Sequence, residues 1–194
     1  ANETVAAHLE RVGMPTLYRI HEAPDPLKVE VFETFLKTLG HALPGAPGQH
    51  EPRHFQQLVE RIQGKPEEKP IAFLLLRTMQ KARYDPANAG HFGLAAESYT
   101  HFTSPIRRYP DLVVHRALRG SRGRVDAERR AELAGELPEI GRHTSERERR
   151  AADAERELVQ WKKVRFMADK VGEQFEGYIT GVSAFGLYLE LVEH

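Results

Sequence analysis

Apolar residues recur at helical spacing along most of the chain and at strand spacing only near its end. Val5, His8, Leu9 and Val12 share one stripe that stops at Gly13, which predicts a helix over 1–13. MPTLYRIHEAPDP is broken by prolines and reads as an extended connector. Val29, Phe32, Leu36 and Leu39 mark a second helix ended by Gly40. After the loop-forming run PGAPGQHEP, Phe55, Leu58, Val59 and Ile62 mark a third, ended by Gly64. KPEEKP leads into a fourth, with Ile71, Leu74, Leu75, Thr78 and Met79 inward. YDPANAGHFGLAAESYTHFTSP lacks a helical period, and its core FGLAAESYTHF fits one or two strands. Pro110 and Asp111 then signal a helix start, because the first turn needs no N–H from proline and its positive end favours an acid. The longest helix is predicted to begin at a Ser145/Glu148 capping box. It runs through Ala151, Ala154, Leu158, Trp161 and Ala168 to about Lys170, with Trp161 as a core anchor.

After Gly172 the period drops to two. Phe175, Tyr178 or Ile179, Val182, Phe185, Leu187 and Leu189 alternate with polar positions, and Gly177, Gly181 and Gly186 suit bent strands. The fold class predicted is α+β, with a mostly helical domain over 1–170 and a second domain opening at 171. Residues 171–194 can supply only the first strands of an OB-type barrel, which has five. The chain starts without methionine in helix-like sequence and ends amid this alternation, so it is expected to be a piece of a longer protein.

Composition adds bounds. Hydrophobic residues make up 40% of the 194, enough for a true core, and 28 basic side chains balance 28 acidic ones. No nucleic-acid-like excess exists overall, so any basic site must be local. Without cysteine there are no disulfides or thiolate metal sites, which fits a reducing compartment, and a cytoplasmic location is expected. No apolar run approaches the roughly 18 residues of a membrane span, so no membrane partner is expected.

Two motifs carry candidate chemistry. HEPRH, His50–His54, matches the zinc-protease pattern, which needs both histidines one turn apart on a helix. Pro52 stands between them. It would break such a helix or else begin one, leaving His50 in the loop, so no metal is expected here. The other histidines lack ligand spacing; His91 and His101 could meet across strands, but a satisfied or exposed histidine is the plainer reading for each. The second motif is TSPIRRYPDLVVHR. From Ser104 to Arg124 there are six arginines, no lysine and one acid, Asp111. A guanidinium matches phosphate oxygens with a planar fork, and a helix N-terminus adds N–H donors and a positive dipole. Arg107 and Arg108, just before Pro110, combine both, which makes a phosphate site. The competing reading is a structural pair bonded to Glu97 or Asp111.

HFGLAAESYTHFTSPIRRYPDLVVHRAL resembles the signature of the RNB family of exoribonucleases. ANE at the start, LYRIHEAPDPLKVE, ERERRAADAERELVQWKK and GEQFEGYITGVSAFGLYLEL extend the resemblance over essentially the whole chain. Within the family, SPIRRYPD and GVSAFGLYLEL look most like the ribonuclease R branch. The resemblance implies the C-terminal part of an RNB catalytic domain, followed by the start of an OB-fold RNA-binding domain. It implies hydrolysis of single-stranded RNA from the 3′ end to nucleoside 5′-monophosphates, with magnesium held by an aspartate cluster and no small-molecule cofactor. Arg107 matches the arginine that acts at the scissile phosphate. Arg108, Tyr109, His115 and Arg116 match motif positions for RNA contact or support, with Tyr109 able to pack under the arginines. Glu155 falls in an AER motif of a helix beside the catalytic channel, though a solvated helix carboxylate is the plainer reading. Phe185 and Tyr188 match aromatic positions of an OB strand on which bases stack; core packing is the competing role. One departure stands out: the six aspartates, Asp25, Asp85, Asp111, Asp126, Asp153 and Asp169, are scattered, so the chain is expected to bind no metal and to be inactive alone. The alternative is a non-catalytic RNA-binding module of the same family.

Overall fold

The computed structural model describes residues 1–46, 48–123 and 125–192, with Tyr178 described in its backbone only. Two compact units divide the chain, Ala1–Glu146 and Arg147–His194.

The first unit is built on α1 (Asn2–Arg11), α2 (Pro26–Thr38), α3 (Pro52–Ile62), α4 (Glu68–Thr78), α5 (Tyr109–Arg122) and the first half of α6 (Ala127–Met167). The predicted stripes form its core. Val29, Phe32 and Leu36 of α2 close on Leu43, on Phe55, Leu58 and Ile62 of α3, and on Ile71 and Leu75 of α4. Fully burying each such side chain is worth about 1.5–3 kcal/mol. Leu9 of α1 packs with Met14 and with Val114 and Ala117 of α5 in a separate cluster. At the stripe margins the prediction overreaches: Val12, Leu39 and Val59 are exposed.

Asp25 caps α2, its Oδ1 accepting from Leu27 N–H at 2.9 Å. Pro52 opens α3, so His50 lies outside the helix, as its backbone chemistry dictates. His54 Nδ1 accepts from the Glu51 N–H at 3.0 Å, while His50 sits against Glu33 Oε1 at 3.2 Å. Each ring of HEPRH therefore serves local structure.

The connector after α1 holds more order than its prolines suggest. β1 (Tyr18–Ile20) pairs antiparallel with β2 (Arg83–Asp85) in the register Arg19↔Tyr84. The strands expected in FGLAAESYTHF do not form. Residues 92–94 make a 3₁₀ turn that ends at Ala95 in the left-handed region (φ 52°), and only isolated bridges join His91 to His21 and Ala96. His91 N–H and Ala96 N–H each reach the other residue's carbonyl, so the segment folds on itself and cannot extend as a ladder.

α6 corrects a second expectation. It begins at Ala127, with Asp126 Oδ1 accepting from Arg129 N–H at 2.8 Å, and passes through Pro138 without ending. Ser145 is therefore no cap. Buried in mid-helix, its hydroxyl donates to Gly141 O at 2.7 Å and accepts from Tyr84 N–H of β2 at 2.9 Å. Gly135, Pro138 and Gly141 masked this half of the helix because each lowers helix propensity.

In the second unit, α6 continues to Met167, and β3 (Gly177–Ser183) forms a hairpin with β4 (Gly186–Leu191), bulged between Ile179 and Gly181. The expected change of period is real, and with it the α+β class. Trp161 is no core anchor: it is 55% exposed, with Arg165 stacked over its ring. Its face of α6 lacks a buried stripe, since Ala151, Ala154 and Leu158 are exposed too.

Candidate nucleic-acid interface

The local chemistry of SPIRRYPD separates two residues of one type. Arg107 N–H and Arg108 N–H both reach Ser104 O, at 3.3 and 3.1 Å, forming a tight turn just ahead of α5. Arg108 turns inward, its Nη2 donating to Asp111 Oδ1 at 2.9 Å. That same oxygen accepts from Ser104 N–H at 2.8 Å. Asp111 is 0% exposed and lies in the first turn of α5, where the helix dipole favours its charge. Arg107 turns outward. Its guanidinium is exposed and makes no hydrogen bond or ion pair with the described residues. The structural reading of the pair holds for Arg108, the partner of Asp111, while Arg107 is an exposed cation with no partner among the described residues. Neither bonds Glu97.

The remaining candidates on α5 are placed by the helix. His115 stacks on Phe102, with ring centres 4.0 Å apart, and its Nε2–H donates to Phe102 O at 2.8 Å. It supports the loop entering the turn. Tyr109 and Arg116 line a groove of about 310 Å³ beside α6, with Arg129 and Glu136 at its edge and Met14, Val113 and Leu137 among its apolar walls. Arg124 lies outside the described residues. Glu155, Phe185 and Tyr188 belong to the second unit. Glu155 is exposed on α6. Phe185 occupies the two-residue turn between β3 and β4, fully exposed, and Tyr188 lies on β4 opposite Gly181.

Sequence reasoning missed an aromatic and imidazole stack beside this turn. Ring pairs His21–His91, His91–Tyr99, Tyr99–His101 and His101–Tyr84 lie 5.0, 5.3, 5.9 and 5.6 Å apart. Tyr99 separates His91 from His101, so they form no ligand pair. Burial, then the His21 charge, lowers His91 to about 4; burial, then Arg108 and Arg19, lowers His101 to about 4. Both are neutral at pH 7. His101 Nδ1 and the Tyr84 hydroxyl share a hydrogen bond of 2.8 Å, and Arg19 lies over the Tyr84 ring at 4.6 Å. The histidine spacing was the only signal in the sequence, and it cannot tell a ring stack from unrelated loops.

Magnesium, which the family resemblance implies, does not fit the residues present. Among the described residues no group of three or more histidines and carboxylates converges as a metal site. Asp25 and Asp126 cap helices, Asp85 accepts from Ala87 N–H, Asp111 is the buried anchor, and Asp153 pairs with Arg156.

The comparisons define the class. Residues 1–121 match the RNB domain, and the chain belongs to that family. Ribonuclease R of Aquifex aeolicus is 50% identical over 198 residues, covering 100% of this chain and 27% of its own length. The chain spans about a quarter of the length of the curated relatives it matches. Mycoplasma genitalium RNase R, solved in complex with ribose methylated single-stranded RNA, superposes with a TM-score of 0.92 at 28% identity, over 99% of this chain and 30% of that one. Yeast Ssd1, a pseudonuclease, matches 75% of this chain and 18% of its own, with a TM-score of 0.62 and 29% identity.

Proposed function

We propose that this chain is the C-terminal part of the catalytic region of a ribonuclease R-like 3′→5′ exoribonuclease, with residues 1–170 in the RNB domain and 171–194 opening an OB-type RNA-binding domain. The observation that carries the reading is the exposed Arg107 guanidinium, without a partner among the described residues, on a clamped turn within the stretch that matches the RNB domain. The substrate is the 3′ end of single-stranded RNA, and the products are nucleoside 5′-monophosphates. RNase R of Mycoplasma genitalium has been solved with RNA, which supports that partner class.

In this reading Arg107 meets the scissile phosphate. Its planar fork donates to the phosphoryl oxygens as charge grows on them in the transition state, from a backbone turn held by the Ser104 carbonyl. Arg108 holds the turn, and His115 supports it. Arg116 and Tyr109 offer further RNA contacts along their groove, and Phe185 and Tyr188 offer exposed rings for base stacking. Glu155 stays a candidate near the site. Magnesium supplies phosphate polarisation and the nucleophile in hydrolysis of this kind, and residues outside this chain would hold it. Among the described residues no helix is long and apolar enough to cross a membrane; the cysteine-free sequence, which fits a reducing compartment, supports a cytoplasmic location for the enzyme.

A second reading, an RNA-binding module without catalysis, draws on the likeness to a pseudonuclease. An aspartate-rich loop in the gene ahead of Ala1 would decide for the enzyme. The 194-residue chain alone, incubated with magnesium and end-labelled single-stranded RNA, should leave the RNA intact. Residual RNA binding through α5 should fall steeply with salt. Stepwise shortening from the 3′ end that stops with chelator would overturn the claim that this chain holds no metal.

A further inference from the structure

Resting on that reading of Arg107, we propose that Asp111 is its positioning residue, setting which of two adjacent arginines is presented to the RNA phosphate. One buried oxygen, Asp111 Oδ1, receives both the Ser104 N–H at 2.8 Å and the Arg108 guanidinium at 2.9 Å. The chain from Ser104 to Asp111 is thereby closed into a ring. Inside it, the carbonyl of Ser104 accepts from Arg107 N–H and Arg108 N–H. Pro105 and Pro110 restrict φ within the same ring. The clamp draws the Arg108 side chain down to 21% exposed and leaves Ile106 and Arg107 on the outer side of the turn. Neither arginine is chemically special. Only the buried carboxylate, fixed in the first turn of α5, distinguishes them. Asp111 Oδ2 and Arg108 Nε are buried without a partner among the described residues, so the pair is held by a single hydrogen-bonded contact and not by a bidentate fork. Such a clamp is sensitive to the loss of one charge.

Asn at 111 keeps the volume and an oxygen for Ser104 N–H but removes the charge that holds Arg108. The test uses the full-length enzyme and a double-mutant cycle of Asp111→Asn with Arg107→Ala, read by single-turnover cleavage at saturating RNA, by RNA affinity with magnesium chelated, and by thermal melting. Asp111→Asn should slow cleavage by roughly 10- to 100-fold, the scale of a misplaced catalytic group. Affinity should stay nearly unchanged. In the Arg107→Ala background the Asp111 change should slow cleavage no further. A general structural role would slow both backgrounds equally, and that result overturns the proposal, as does an Asp111→Asn rate equal to the unmodified enzyme's. If Asp111→Asn does not fold, Arg108→Met takes its place in the cycle, with Arg108→Lys recovering much of the lost rate; equal rates for Met and Lys overturn the proposal. If Arg107→Ala alone cleaves at the full rate, the reading of Arg107 itself has failed.

Discussion

Arg107 and Arg108 are neighbours of one chemical type, yet one is spent on a buried carboxylate and the other has no partner among the described residues. The sequence placed two cations at a helix mouth and left open whether they bind phosphate or protein. It could not divide the labour, because that depends on which side of the turn faces the interior. The division makes Arg107→Lys informative in the full-length enzyme. Lysine keeps the charge but loses the planar fork, and binding is spread over many contacts. Single-turnover cleavage should therefore fall by roughly 10²-fold or more, the scale of losing one transition-state donor. RNA affinity should hold nearly constant. Equal losses in affinity and rate would reduce Arg107 to a positioning contact.

At the scale of elements, α6 is where local reasoning failed and close packing explains why. Gly135, Pro138 and Gly141 argue against a helix, yet the helix runs through all three. Gly141 has a tertiary reason: a Cβ there would meet Tyr84 O at 2.9 Å, and Ser145 one turn on accepts Tyr84 N–H. Together they let α6 press on the backbone of β2. Gly135 has no such neighbour within 4 Å. Two alanine substitutions in one helix should therefore act oppositely on the melting temperature. Gly135→Ala should raise stability by about 0.5–1 kcal/mol through helix propensity. Gly141→Ala should lower it by about 1–3 kcal/mol through overpacking. Ser145→Ala should also cost about 1–3 kcal/mol, since it removes the hydroxyl that accepts the buried Tyr84 N–H. A neutral Gly141→Ala would contradict the close approach.

Across the molecule, the imidazole and aromatic stack predicts how the first unit responds to acid. His91 and His101 titrate at about 4 when folded, against 6.5 for the free group, mainly because burial disfavours their charged forms. Above pH 6.5 both states are neutral and the pair contributes no pH dependence. As pH falls from 6.5 towards 4, the unfolded chain takes up protons that the folded chain refuses, so stability is lost through that window. Melting temperature should decline there, and His91→Gln with His101→Gln should flatten the decline, since glutamine does not titrate and can still hydrogen-bond the Tyr84 hydroxyl. An unchanged slope in the double variant would place the acid response elsewhere.

By itself the sequence determined whatever depends on near neighbours along the chain. The helical stripes of Phe32, Leu58 and Ile71, the start of α3 at Pro52, the alternation of β3 and β4 and the RNB signature all follow from spacing and local backbone chemistry. Tertiary structure decided what depends on contacts between distant residues. It paired Arg19 with Tyr84 across 65 positions, buried Ser145 in mid-helix, folded 91–96 on itself, and left Trp161 exposed. It also assigned Asp111 to Arg108 and freed Arg107. The physical reason is common to all of these. A polar group's role is set by whether its surroundings leave it to water or require a partner, and spacing along a chain carries no record of burial.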